Sequence, residues 1–107
     1  MNVFCVVGKI QALPELKETP SGLKTTSVLL KVQRAYPNSE GIYESDFFNI
    51  EVWRGLAETL CDTCTVDTVL AVKGRLASRI YQKEDRTFYN YVMVAEKIDF
   101  VHIPKAV

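Results

Sequence analysis

The chain has a single histidine, His102, near its end, and that scarcity removes much catalytic chemistry. A Ser-His-Asp arrangement needs an imidazole within reach of a nucleophile, which one late histidine does not offer. The carboxylates are scattered, no pair has a spacing that proposes acid–base work, and no glycine-rich phosphate loop precedes a helix. An enzyme is not expected. Cysteine is also scarce, and Cys5, Cys61 and Cys64 make an odd count with no sign of a disulfide framework. Cys5 lies in the apolar run Val3–Val7 and reads as a buried thiol. Cys61 and Cys64 form a CxxC, read as structural thiols ahead of a redox pair or half a zinc site, because no second CxxC exists. Neither a metal nor a cofactor is expected. No stretch reaches transmembrane length, and MNVFCVVGKI lacks the basic leader of a signal peptide, so no membrane partner is expected.

Net charge is absent too, but the formal zero hides a pattern. Residues 1–39 hold five basic and two acidic side chains, residues 40–67 one basic and seven acidic, and residues 68–89 five basic and two acidic. A fold can bring the two positive segments onto one face. The 107 residues, 48% hydrophobic and 24% charged, suit one ordered domain, expected over 1–103 with a short tail at 104–107.

Period-two patterns predict strands. In TVLAVKGRLASRIY, Thr68–Tyr81, residues Leu70, Val72, Gly74 and Leu76 fall on one side, and Val69, Ala71, Lys73 and Arg75 on the other. The polar run Gln82–Thr87 and a second pattern from Phe88 to Val94 complete a long hairpin. Lys24–Ala35 alternates Thr26, Val28, Leu30 and Val32 against polar neighbours. Asp46–Arg54 puts Phe48, Ile50 and Val52 toward a core and Phe47, Asn49, Glu51 and Trp53 outward. Pro14–Leu23 reads as a loop with a turn at Thr-Pro-Ser-Gly, and Pro37–Ser45 as a flexible excursion. Gly55–Thr63 reads as a short helix, with Leu56 and Leu60 inward. The expected order is strand, strand, strand, helix, strand, strand. The expected fold is all-β: a five-stranded closed barrel with one short helix between strands 3 and 4.

The first strand, Asn2–Leu13, is apolar on both faces. With Val3, Cys5 and Val7 able to face the interior, Phe4 and Val6 must point outward. A soluble monomer would expose them poorly, so Val3, Phe4 and Val6 are the expected contact of a homo-oligomer.

What remains points to binding rather than turnover. Tyr36, Phe47, Trp53 and Tyr81 can stack on bases, at roughly 1–3 kcal/mol per base. Lys9, Lys24, Arg34, Arg54, Lys73, Arg75 and Arg79 can follow phosphates. Duplex DNA hides its base faces, so such a surface favours single strands. The competing readings are a protein-interaction barrel, in which the rings bury against a protein, and a related barrel acting in primosome assembly or RNA binding.

The segments MNVFCVVGKI, LPELKETPSG, VLLKVQRAY, DFFNIEVWRGLAE and VKGRLASRIY, with the closing hairpin strand, resemble the bacterial and phage single-stranded DNA-binding protein family over about residues 1–101. The resemblance implies an oligonucleotide-binding (OB) barrel that binds single-stranded DNA with little sequence preference in replication, recombination and repair. It implies a homotetramer with the first strand at the dimer contact, in the bacterial cytoplasm or, for a phage protein, that of its host. Family stacking positions fall on Tyr36, Phe47, Trp53 and Tyr81, and family basic positions on Lys9, Arg75 and Arg79. The chain departs from the pattern at Val66-Asp67, where the family has Lys-Gly, and at the tip Lys-Glu-Asp-Arg, 83–86, where it has Asp-Gly. The sequence ends at Val107 with no acidic tip, so tail-mediated recruitment of replication proteins is not expected from it.

Overall fold

A computed structural model of the chain describes residues 1–105. The tail expected at 104–107 therefore lies partly outside the described residues. The elements in order are β1 (Phe4–Ile10), β2 (Lys17–Glu18), β3 (Lys24–Gln33), β4 (Ser45–Trp53), α1 (Arg54–Thr63), β5 (Val69–Lys83) and β6 (Arg86–His102). They form one six-stranded sheet in the order β1-β5-β6-β4-β3-β2, with β1 also paired to β3.

The expected five-stranded barrel with its helix between strands 3 and 4 is corrected by this topology. The described residues form six strands, and α1 lies between β4 and β5. The additional strand comes from the segment read as a loop. Lys17 and Glu18 pair with Thr25 and Lys24 after the chain reverses at Thr19–Leu23. Gly22, at φ +88°, supplies the left-handed residue of that reversal, a conformation glycine adopts without steric cost. Two residues are too few to show an alternation, which is why the pattern hid β2.

β3 and β4 alternate as expected. Thr26, Val28 and Leu30 on β3, and Ile50 and Val52 on β4, are buried, and the two strands pair antiparallel along their length. Leu70 and Val72 of β5, Ile10 of β1, and Ala57 and Leu60 of α1 complete the interior. Each fully buried aliphatic side chain contributes roughly 1.5–3 kcal/mol relative to exposure. Thr26 and Thr68 are the polar exceptions among the described residues: the Thr26 hydroxyl donates to the Glu15 carbonyl at 2.7 Å, and the Thr68 hydroxyl accepts from the Thr65 amide at 2.9 Å.

β1 has the register opposite to the expected one. Phe4 and Val6 pack against the core, Gly8 and Ile10 are buried, and Cys5 and Val7 face outward. Cys5 is thus exposed, not the buried thiol expected. The cause is steric. Phe4 stands opposite Gly74 on β5, and a Cβ at Gly74 would lie 2.8 Å from the Phe4 ring and overlap the Val94 carbonyl. The ring fills the place a side chain would take. Gly8 plays the same part further along, where a Cβ would lie 2.7 Å from the Lys31 carbonyl oxygen and so prevent β1 from reaching β3.

The long hairpin turns through Glu84 and Asp85, both left-handed at φ +52° and +61°, between the paired Lys83 and Arg86. Two left-handed residues make the primed turn whose twist matches the flanking strands, but a non-glycine residue is disfavoured there.

Two outcomes follow. Gly74→Ala should lower stability by about 3 kcal/mol in urea unfolding, because neither the Val94 backbone nor the Phe4 ring can retreat cheaply. An unchanged midpoint would refute the close approach. Glu84→Asn with Asp85→Gly should raise hairpin stability by about 1 kcal/mol, read as slower amide exchange across β5 and β6.

Candidate nucleic-acid interface

Alternation along β4 sets Phe47, Asn49, Glu51 and Trp53 on its outer side, because Ile50 and Val52 are committed to the core. Their partners on β3 are Lys31, Leu29, Ser27 and Thr25. Across the other edge of β4, Glu51 pairs with Val94 of β6, and Val94 with Arg75 of β5. Arg75, Arg79, Tyr81 and Lys83 then share one face of the hairpin with Phe88 and Arg86. The Tyr81 and Phe88 rings stack with centroids 5.1 Å apart and planes at 15°.

Arg79 joins the hairpin face to the β4 row. Its Nη1 and Nη2 donate to Glu51 Oε2 and Oε1 at 2.9 and 2.7 Å. Trp53 Nε1 donates to the same Oε1 at 3.2 Å. One carboxylate therefore ties an indole and a guanidinium into a single surface, with Phe47 56% exposed at one end and the Tyr81–Phe88 pair at the other. Beside Phe47, Lys31 and Lys9 are neighbours across β3 and β1. They line an open groove of about 420 Å³ with Tyr43 and Gln33.

The structure brings together Phe47, Trp53, Tyr81, Arg75, Arg79 and Lys9 of the expected set. Arg54 follows Trp53 directly, at a left-handed φ of +59°, and forms no ion pair among the described residues. Tyr36 stands apart on its loop, 81% exposed. Three expected phosphate contacts lie elsewhere or are engaged. Lys24 pairs with Glu18 at 3.3 Å. Lys73 falls in the register row Cys5–Lys73–Lys97 and lines a groove with Cys5, Val7 and Asp99, away from the β4 row. Arg34 is clamped by Glu44 and Asp46, each at 2.9 Å. The hydrogen bonds that Arg34 donates to Asp46 raise the Arg34 pKa and hold Asp46 below the usual carboxylate range.

The segment read as a flexible excursion is tied at its base by that clamp. Asn38 accepts from the Glu40 and Ile42 amides at 2.9 and 3.0 Å and donates to Glu44, so the loop carries its own hydrogen bonds.

Lys31, Lys83, Arg86 and Phe88 join the surface without having been singled out in the sequence. Counting back from the tip pairs Phe88 with Tyr81 and Arg86 with Lys83 once the turn is known to take two residues. The reverse face of the hairpin carries Leu76, Ile80, Tyr89 and Tyr91, all exposed. Elsewhere, Cys64 is buried, and burial pushes its thiol pKa up, with Cys61 adding to the shift, so it stays protonated at neutral pH. No group of three metal-ligating side chains occurs among the described residues, nor does any helix long and apolar enough to cross a membrane.

A family profile described as the Single-strand binding protein family matches residues 1–101. A single-stranded DNA-binding protein of Bacillus cereus is 33% identical over 102 residues, covering 94% of this chain and 60% of that protein. Single-stranded DNA-binding protein 2 of Streptococcus agalactiae is 35% identical over 88 residues, covering 82% of this chain and 67% of that protein. The crystal structure of the wild-type single-stranded DNA binding protein from Thermus aquaticus matches the fold with a TM-score of 0.78 at 24% identity, over 95% of this chain and 50% of that one. The chain thus spans about 60% of the length of the Bacillus relative.

Proposed function

The chain belongs to the single-strand binding protein family, and on that footing we propose that it binds single-stranded DNA with little sequence preference, covering it during replication, recombination and repair. The observation that carries this reading is the continuous surface of exposed rings and cations joined at Arg79, Glu51 and Trp53. Phe47, Trp53 and the Tyr81–Phe88 pair supply flat faces for bases, and Tyr36, apart on its loop, offers one more to a strand that extends that far. Lys9, Lys31, Arg54, Arg75, Lys83 and Arg86 supply charge for phosphates, and Arg79 does so once it leaves Glu51. Arg34 and Lys24 contribute only after leaving their carboxylates. Bases stacked on rings are read by their faces, which every base has, so sequence preference is weak.

Titration of labelled oligo-dT, oligo-rU and duplex at two salt concentrations tests the reading. Single-stranded DNA should bind well above duplex and quench Trp53 fluorescence. The logarithmic salt slope should be about −0.7 per phosphate contact. Equal affinity for duplex, or none of the expected salt dependence, would refute it. Trp53→Ala should weaken binding by about 1–3 kcal/mol without unfolding the chain, since the indole lies outside the core. Trp53→Phe should retain much of the affinity.

We also propose self-association, as a tetramer built from dimers, with the contact relocated. Val3, Cys5 and Val7 now form the outer face of β1, and Val3 and Val7 are 54% and 56% exposed. Residues Phe4–Val7 pair with β5 but not with β3, so that part of β1 keeps an open edge. An unpaired edge with an apolar outer face invites a second copy. Val7→Glu should split the assembly while each chain stays folded, and Phe4→Asp should instead unfold it. Light scattering decides: a mass near the 12.1 kDa of one chain would refute self-association.

A further inference from the structure

Among the acidic residues, Glu51 is the one set in the row of rings and cations. Glu44 and Asp46 hold Arg34 at the loop, and Glu18 holds Lys24 beside β2, but Glu51 lies between Asn49 and Trp53 on the outer side of β4. Its side chain is 18% exposed, whereas Arg79 above it is 54% exposed. Two parallel N–H···O bonds run from Arg79 to its two oxygens at 2.9 and 2.7 Å. That fork is the geometry by which a guanidinium grips a phosphate. In the free protein the fork is already filled by a carboxylate of the same chain. The third bond to that carboxylate, from Trp53 Nε1 at 3.2 Å, keeps the indole beside it.

We propose that Glu51 is an internal stand-in for phosphate. It holds Arg79 and Trp53 together in the free protein, gives Arg79 up to the strand on binding, and so lowers affinity and flattens its salt dependence. The proposal rests on reading this face as the single-stranded DNA surface. Two physical terms act in the same direction. A strand must displace the Arg79–Glu51 bonds before Arg79 reaches a phosphate, so the new pair is offset by the old. After the exchange the Glu51 charge remains beside the phosphates and repels them. Arg79 thus adds little net attraction while Glu51 stays beside it.

A cycle of four proteins tests this with oligo-dT across a salt series: the unaltered chain, Glu51→Gln, Arg79→Ala and the double variant. Glutamine keeps the length of the side chain and an acceptor for the indole but removes the charge. Glu51→Gln should bind more tightly at low salt, by up to about fivefold, the range expected for freeing one exposed charge pair. Its salt slope should steepen by about 0.7, one further phosphate contact. Arg79→Ala should cost little alone and distinctly more when Glu51 is already glutamine, since the two substitutions couple. Should glutamine perturb the strand, Glu51→Val removes the same charge with a residue suited to β structure, and the same tightening is expected. Weaker or unchanged binding by a folded Glu51 variant, with the slope unaltered, overturns the proposal and makes Glu51 a structural tie only. Failure of the unaltered chain to bind oligo-dT overturns the functional reading itself, and the proposal with it.

Discussion

At Gly8 and Gly74 the chain packs where no Cβ fits, and the placement of β1 depends on both. Gly74 admits the Phe4 ring and the Val94 carbonyl to the same spot, and the register shift between Lys73 and Gly74 lets β5 bend there. Gly8 lets the far end of β1 swing from β5 to β3. With β1 so fixed, its apolar parity is decided: Phe4, Val6 and Ile10 go inward, and Val3, Cys5 and Val7 are left outside. The sheet then curls enough for α1 to pack Ala57 and Leu60 against the core. β4 is left with its outer row exposed beside the hairpin. A close backbone contact on one side of the sheet thereby helps expose the rings on the other.

The surface itself is built from segments far apart in the chain. β4 contributes Phe47, Glu51 and Trp53, and the hairpin contributes Arg79, Tyr81 and Phe88, 28 residues separating Glu51 from Arg79. The parallel pairing of β4 with β6 brings them together. It also explains how a segment rich in acidic residues comes to share a face with basic ones: most of its charge is spent on Arg34 or lies on α1, and Glu51 alone is directed into the row.

Much of this was legible in the sequence wherever one face of a strand was plainly polar. On β3, Thr26, Val28 and Leu30 alternate with Ser27, Leu29 and Lys31, and on β4 the aromatic Phe48 shares parity with Ile50 and Val52; both were read correctly. β1 defeated the same reasoning because Val3, Cys5 and Val7 are as apolar as Phe4 and Val6, so hydrophobicity could not choose between them. The deciding feature is the spatial fit of Phe4 to Gly74, seventy residues later, which no local pattern contains. β2 escaped because two residues have no period, and its existence depends on the reversal that Gly22 permits. Among the site residues, aromatic and basic character marked Trp53, Phe47, Tyr81 and Arg79. Whether a given cation was free depended on its partner, and that separates Arg75 from Arg34 only in three dimensions.

The β4 row also sets a spacing. Phe47 and Trp53 are six residues apart on one strand, hence about 20 Å at 3.3–3.4 Å per residue. A stacked single strand laid along that row rises about 3.4 Å per nucleotide, so about five nucleotides fit between those on the two rings. On the proposed function, the bases of such a strand would stack at its two ends while cations follow the phosphates between. A missing or chemically damaged base between two grips would pass unnoticed, leaving both rings engaged. On the proposed function, tolerance of injured DNA would follow from the pitch of a β-strand, with no residue devoted to it.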